Sequence, residues 1–180
     1  MYEYSCFDYC ISLEMKGVFM ILEVKGIKKS FDKKEILHGI SFTVQSGKAM
    51  GFLGRNGAGK TTTFRCLMNV FKQTEGEFLL DGKPFDVNHN HIGYLPEERG
   101  MYAKVSLKDQ LAYFAKLKGA DTKKAAEEAE YWIDYFGLKD YTNKKLETLS
   151  KGNQQKIQIA QAFINDPAII ILDEPFSGLD

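Results

Sequence analysis

The run Gly54-Arg55-Asn56-Gly57-Ala58-Gly59-Lys60-Thr61 limits what this chain can become more than any other stretch of it. It fits G-x-x-x-x-G-K-[ST], a glycine-rich loop that joins a buried strand to a helix and wraps a polyphosphate. The flanks suit that context. Ala49-Met50-Gly51-Phe52-Leu53 reads as a short buried strand. Thr61 to Phe71 lacks Gly and Pro and carries Phe64, Leu67, Met68 and Phe71 at helical spacing. Glycines 54, 57 and 59 let the backbone curl until successive N–H groups face phosphate oxygens. The helix that follows adds its positive end. The pattern assigns the run from Gly54 to Thr62 to a nucleoside triphosphate, Lys60 to its β- and γ-phosphates, and the Thr61 hydroxyl to Mg²⁺.

Size and charge narrow the partners. The chain has 180 residues, 44% of them hydrophobic and 13% aromatic, enough for one domain with a full core. Its 24 basic and 24 acidic residues balance, so no global field favours nucleic acid or anionic lipid. The apolar stretch Ala168 to Leu172 is far short of a membrane span. Cys6, Cys10 and Cys66 fit a reducing compartment better than a disulfide framework. A helix would put Cys6 and Cys10 on one face, but no further Cys or His nearby completes a metal site. Cys66 reads as a small core residue.

Residues 1–19 mix aromatics with Glu3, Asp8 and Glu14 and have neither a basic leader nor a smooth apolar stretch, so they make a poor signal peptide. They are expected to lie outside the fold, as an upstream start codon would produce, with the domain running over 20–180. Strands are expected at Ile21–Lys25, Ile40–Val44, Ala49–Leu53, Glu77–Leu80 and Ile92–Leu95, with Asp81-Gly82 as a turn. A helical insert follows over about 104–164. Ser106 and Asp109 make a capping box before Leu107, Leu111, Phe114 and Leu117. A second helix from Thr122 buries Ala125, Ala129, Trp132, Ile133 and Phe136, its lysines and glutamates forming the wet face. A third starts near Ser150 and stops at Asn165-Asp166-Pro167. Ala168 to Leu172, apolar at every position, reads as a central parallel strand covered on both faces.

That strand ends in Asp173-Glu174. Ligands of parallel α/β sheets bind at the carboxyl ends of strands, which sets both carboxylates beside the phosphate loop. Asp173 is then placed to hold Mg²⁺ through water opposite Thr61, and Glu174 to polarise the water that attacks the γ-phosphate.

Leu149-Ser150-Lys151-Gly152-Asn153-Gln154-Gln155 resembles the L-S-G-G-Q signature of ATP-binding cassette (ABC) ATPases, and Ser177-Gly178-Leu179-Asp180 resembles their D-loop. With the phosphate loop and Asp173-Glu174, these motifs stand in the family's order and cover Met20 to Asp180. The resemblance implies a P-loop NTPase core of the α/β class, with a mostly parallel sheet, N-terminal antiparallel strands and a helical insert. It implies ATP and Mg²⁺ as cofactors and a head-to-tail dimer with a second nucleotide-binding subunit. In that dimer the signature residues, Leu149 to Gln154, meet the opposite ATP and Asp180 belongs to the D-loop. It further implies transmembrane permease subunits as partners, met by the Q-loop region and the helical insert, hence a cytoplasmic location on the inner face of the membrane, and no nucleic acid. Phe31 falls where the family stacks an aromatic on adenine.

Two departures stand out. Lys151 and Asn153 alter the signature, and Glu97 replaces the Q-loop glutamine as a carboxylate able to hold Mg²⁺ or a water. The wording Leu95-Pro96-Glu97-Glu98-Arg99-Gly100-Met101-Tyr102 is similar to the branch that drives export of sodium ions or drugs. The family's switch histidine has no counterpart, since His38, His89 and His91 all precede Asp173. A C-terminally truncated chain is therefore expected, with Ile169 to Leu172 exposed, weak ATP binding and little hydrolysis. The alternatives are a nonfunctional fragment and a soluble ABC ATPase of translation or chromosome maintenance, which balanced charge disfavours. A GTPase would need N-K-x-D, which Asn143-Lys144-Lys145-Leu146 lacks.

Overall fold

Short, largely apolar runs build the central sheet from four strands, β1 (Tyr9–Leu13), β4 (Ala49–Phe52), β7 (Ile92–Leu95) and β8 (Ile169–Asp173). The computed structural model describes residues 9–13, 19–32, 34–97 and 100–175. The strand order is β4-β1-β8-β7. β8 pairs parallel with β7, while β1 pairs antiparallel with both β4 and β8. The strands before the phosphate loop and before Asp173-Glu174 therefore run the same way, with one reversed strand between them.

This corrects the expectation for residues 1–19. Residues 9–13 sit inside the sheet, with Ile11 and Leu13 both 0% exposed and packed among Ile169, Ile171 and Phe64. Cys10 is thus on a strand, not a helix. Residues 1–8, Cys6 included, and 14–18 lie outside the described residues. The expected exposure of Ile169 to Leu172 does not occur either. β8 has a partner on each edge, and Ile169, Ile170 and Ile171 are at most 3% exposed.

A second, antiparallel sheet packs against the same core. It joins β2 (Ile21–Phe31), β3 (Lys34–Gln45), β5 (Glu75–Leu80) and β6 (Lys83–Pro84) in the order β3-β2-β5-β6. Leu22, Val24 and Ile27 supply its buried face. The register of β2 shifts around Gly26, a bulge that bends the strand.

Four α-helices complete the described fold: α1 (Lys60–Leu67), α2 (Leu107–Leu117), α3 (Thr122–Tyr135) and α4 (Lys151–Phe163). α1 ends before the expected Phe71, where Asn69 turns left-handed at φ 55°. Ser106 Oγ accepts from Asp109 N at 3.1 Å, as the capping box requires. Leu107, Leu111 and Ala115 of α2 meet Ala125, Ala129 and Ile133 of α3 and Ile157, Ala160 and Ile164 in a separate apolar core. Leu117 closes α2 as its helical spacing predicts and is 64% exposed, while Ala115 holds the buried i+4 position after Leu111. Trp132 and Phe136 flank the core, with the Trp132 ring 5.6 Å from Phe163.

Polar side chains lock the end of α4. Lys118 Nζ donates to the carbonyls of Gln161, Ala162 and Ile164 at 3.1, 3.2 and 3.3 Å, satisfying acceptors that a helix end leaves open. Burial pulls the Lys118 ammonium down to about 8, and Glu128 partly offsets it. Asn165 donates through Nδ2 to Lys118 O at 2.5 Å and accepts from Lys124 Nζ at 2.8 Å. The three helices thereby hand the chain to Pro167 and β8 in a fixed place.

α4 lies close on β7. A Cβ added to Gly93 would stand 2.1 Å from the Ala162 carbonyl oxygen, a backbone atom that cannot step aside alone. Gly93→Ala is expected to destabilise the fold by ~1–3 kcal/mol through overpacking. That should lower the thermal midpoint by several degrees in a circular dichroism melt; an unchanged midpoint would contradict the packing.

Candidate nucleotide-binding site

The loop between β4 and α1 is shaped by its own lysine. Lys60 is only 8% exposed, and its Nζ donates to Gly54 O at 2.5 Å and Arg55 O at 3.2 Å. Ala58 N closes a turn on Arg55 O at 3.0 Å, with Asn56 and Gly57 at its corner. Gly59, at the N-cap of α1, has φ 88°, and a Cβ there would meet Leu37 Cδ2 at 2.5 Å. The left-handed φ is what favours glycine there.

The helix starts differ. Ser106, Asp121 and Ser150 cap α2, α3 and α4 with side-chain oxygens, whereas α1 has no side-chain cap. The N-terminal end of α1 carries the helix's partial positive charge, which favours an anion. A cleft of about 330 Å³ opens there, lined by Phe31, Lys34, Ile36 and residues 57–62, Thr61 and Thr62 among them. Phe31 is 39% exposed at its mouth, its ring edge-on to Phe71 at 5.2 Å, with Lys29 Nζ 4.8 Å from the centroid. Clefts of about 580 Å³ beside Cys66 and Phe85, and about 610 Å³ beside Lys108 and Tyr131, are larger but hold no such loop.

Asp173 meets this loop from the other side of β1. Thr61 Oγ1 donates to Asp173 Oδ1 at 3.3 Å, across 112 residues of sequence. Asp173 is 1% exposed, and its Oδ2 is buried with no hydrogen bond among the described residues. Burial first, and the carboxylates of Glu97 and Glu174 with it, push the Asp173 carboxyl up to about 6; the Thr61 hydroxyl and Arg65 pull the other way. Tyr94, on β7, is pushed up to about 12 by its own burial and by Asp173 beside it. A buried carboxylate with an open oxygen, beside the Thr61 hydroxyl, offers hard oxygen donors of the kind a divalent cation takes. The residues present thus fit the Mg²⁺ that the sequence pattern implies.

Glu97 and Glu174 both act electrostatically on Asp173, so both acids belong to this end of the sheet. Glu174 takes φ 52°, an uncommon conformation for a side-chain-bearing residue that turns the chain sharply as it leaves β8. The signature residues lie elsewhere: Leu149 is 6% exposed, and Ser150 Oγ accepts from Asn153 N at 3.3 Å. Lys151 and Gly152 start α4, and Gln154 Nε2 donates to Leu149 O at 2.9 Å. None of Leu149 to Gln154 lines the cleft. Asp180 lies outside the described residues.

Two residues of the cleft lie outside any motif. Lys34 and Ile36 reach the cleft from β3 only through sheet packing, which no local pattern announces. Arg65 had a legible signal, since it follows Thr61 by one helical turn. Gln155, 4% exposed, donates through Nε2 to Pro175 O at 2.6 Å and ties α4 to the turn after Glu174.

Sheet order, phosphate loop and strand-end carboxylate together define a P-loop nucleotide-binding domain of the α/β class. The ABC transporter family profile matches residues 37–177, and the chain belongs to that family. It is 46% identical over 161 residues to the ABC transporter ATP-binding protein YhaQ of Bacillus subtilis, covering 89% of this chain and 54% of that protein. It is 32% identical over 163 residues to the Nod factor export ATP-binding protein I of a Rhizobium species, covering 88% and 54%. Among solved structures, an ABC transporter ATP-binding protein from Pyrococcus furiosus matches at 30% identity with a TM-score of 0.77, over 89% of this chain and 78% of that one. The chain spans about half the length of the curated relatives it matches.

The raised Asp173 carboxyl has a signed consequence. Its folded-state value of about 6 exceeds the ordinary 3.8, so the fold favours the protonated form. Stability from this group is complete below about pH 4 and is lost as pH rises towards 6, by ~3 kcal/mol at most. Without divalent cation, Asp173→Asn is expected to unfold at a higher temperature than the unsubstituted chain at pH 7, with the difference shrinking by pH 4. Parallel melts at both pH values test this; an equal or lower midpoint for the variant at pH 7 would contradict it.

Proposed function

We propose that the protein built on this chain is the ATP-binding and ATP-hydrolysing subunit of a membrane exporter. The observation that carries the reading is the 3.3 Å contact between Thr61 and Asp173, which joins the loop and the strand-end acid in one site. Lys60 leaves its loop carbonyls for the β- and γ-phosphate oxygens, and the amides from Gly54 to Thr62 hold the remainder of the triphosphate. Phe31 stacks on the base at the mouth of the cleft. Thr61 and Asp173 hold Mg²⁺, which when bound neutralises the phosphate charge. Glu174 takes a proton from the attacking water as its oxygen bonds to the γ-phosphorus, and ADP departs with the bridging oxygen. Glu97 holds a water or the metal from the β7 side.

Leu149 to Gln154 act on the ATP of a second subunit in a head-to-tail dimer, and Asp180 belongs to that dimer's D-loop. Permease subunits meet the helical insert and hold the protein at the inner face of the membrane. Support for export comes from the relative named for Nod factor export and from the wording at 95–102. Among the described residues no helix is long and apolar enough to cross a membrane.

Calorimetric titration with ATP and Mg²⁺ tests the site. The unsubstituted chain is expected to bind ATP in preference to GTP, and Lys60→Ala to bind at least tenfold more weakly. Glu174→Gln should keep its affinity within about threefold while its hydrolysis falls ~10²-fold or more. Unchanged binding by Lys60→Ala, or unchanged turnover by Glu174→Gln, would defeat the assignment.

A further inference from the structure

β2 loses one neighbour before it reaches Phe31. Its ladder with β5 stops at Lys28, which stands level with Glu75, and three residues of β2 remain beyond that pair. Phe31 closes the strand opposite Lys34, and Asp32 then turns left-handed at φ 52°. The ring at the mouth of the nucleotide cleft therefore sits on the tip of a hairpin whose ladder to β5 has already ended. A hairpin end held on one side only frays readily.

The segment between α1 and β5 takes over where the ladder stops. Thr74 N donates to Lys28 O at 2.8 Å, and Thr74 Oγ1 accepts from Ser30 N at 3.0 Å. Lys29 Nζ donates to the Lys72 carbonyl at 2.7 Å. From that anchored position its charge lies 4.8 Å from the Phe31 centroid and 5.9 Å from that of Phe71, within range of attraction to both rings. The two rings meet at 5.2 Å with their planes 86° apart, a favoured edge-to-face geometry.

That segment is itself tied to the helix that opens the phosphate site. Val70 N and Phe71 N both donate to Arg65 O, at 2.8 and 3.3 Å, which folds the chain back on α1. Burial pushes the Cys66 thiol up and the Lys29 charge partly offsets it, so the ammonium lies beside α1 as well as beside the rings. α1 has eight residues, a rod ~12 Å long with Lys60 at its start. The Phe31 ring is thus fastened to the far end of the helix whose near end closes the phosphate loop.

We propose that Lys29 is a positioning residue that clamps the Phe31 ring to the end of α1 and so holds the base-stacking surface in place relative to the phosphate loop. The clamp deepens the reading of Phe31 as the ring that stacks on the base, and rests on it. Lys29 does not line the cleft, so its action passes through the ring. A ring already held stacks on a base without losing side-chain freedom at the moment of binding, whereas a loose one must be ordered first. The clamp therefore favours only ligands that carry a base.

Calorimetric titration of the full chain with ATP and with inorganic tripolyphosphate, each with Mg²⁺, tests the clamp. Lys29→Met keeps the apolar stem and removes the charge. It is expected to weaken ATP binding about threefold or more while tripolyphosphate binding changes less than about twofold. Lys29→Arg, which keeps a cation at the ring, should retain ATP affinity within about twofold. In a chain already weakened by Phe31→Ala, Lys29→Met should add no further loss, because the ring through which it acts is gone. Full ATP affinity in Lys29→Met, equal losses for both ligands, or additive losses in the double variant would overturn the clamp while leaving the stacking reading intact. Undiminished ATP affinity in Phe31→Ala would overturn the stacking reading and the clamp with it.

Discussion

Two segments far apart in sequence must end at one height and one end of a sheet for a metal–triphosphate site to exist. Here the 3.3 Å contact between Thr61 and Asp173 expresses that constraint, and the rest of the fold serves it. Parallel alignment of β4 and β8 sends both chain exits the same way. The antiparallel sheet behind β4 supplies Phe31, Lys34 and Ile36 to the mouth of the cleft. The helical insert, with its own core, returns the chain through α4 to β8, fixed there by Lys118 and Asn165. β7, paired parallel with β8, brings Tyr94 and Glu97 into the electrostatic surroundings of Asp173.

Charge at the site is arranged for an incoming cation. Asp173 sits among acids, inside the protein, with one oxygen open, a costly arrangement for a carboxylate on its own. Lys60, by contrast, is satisfied by two loop carbonyls that compete poorly with phosphate oxygens for an ammonium. The site thus presents an anion-seeking half and a cation-seeking half within a few ångströms. A metal–triphosphate complex answers both.

Local chemistry made much of this legible in the sequence. The phosphate loop, the capping box at Ser106, the glycine stop at Gly119 and the apolar strand before Asp173 each carry their own signal within a few residues. The boundaries of β7 follow from Pro96 and an apolar run in the same way. β1 was not legible, because five residues between polar and aromatic neighbours declare no partner, and both of its ladders are long-range. The expected exposure of β8 failed for the same reason. Lys34 and Ile36 reach the cleft only through tertiary packing, which no local pattern announces.

The most direct measurement of the central claim is the anomalous signal of Mn²⁺, replacing Mg²⁺, in crystals grown with ATP. The account expects one metal peak at the triphosphate, bonded to Thr61 Oγ1 at ~2.1 Å and reached by Asp173 through an ordered water. A metal peak remote from Asp173, or an ATP whose phosphates avoid the loop at 54–61, would contradict it.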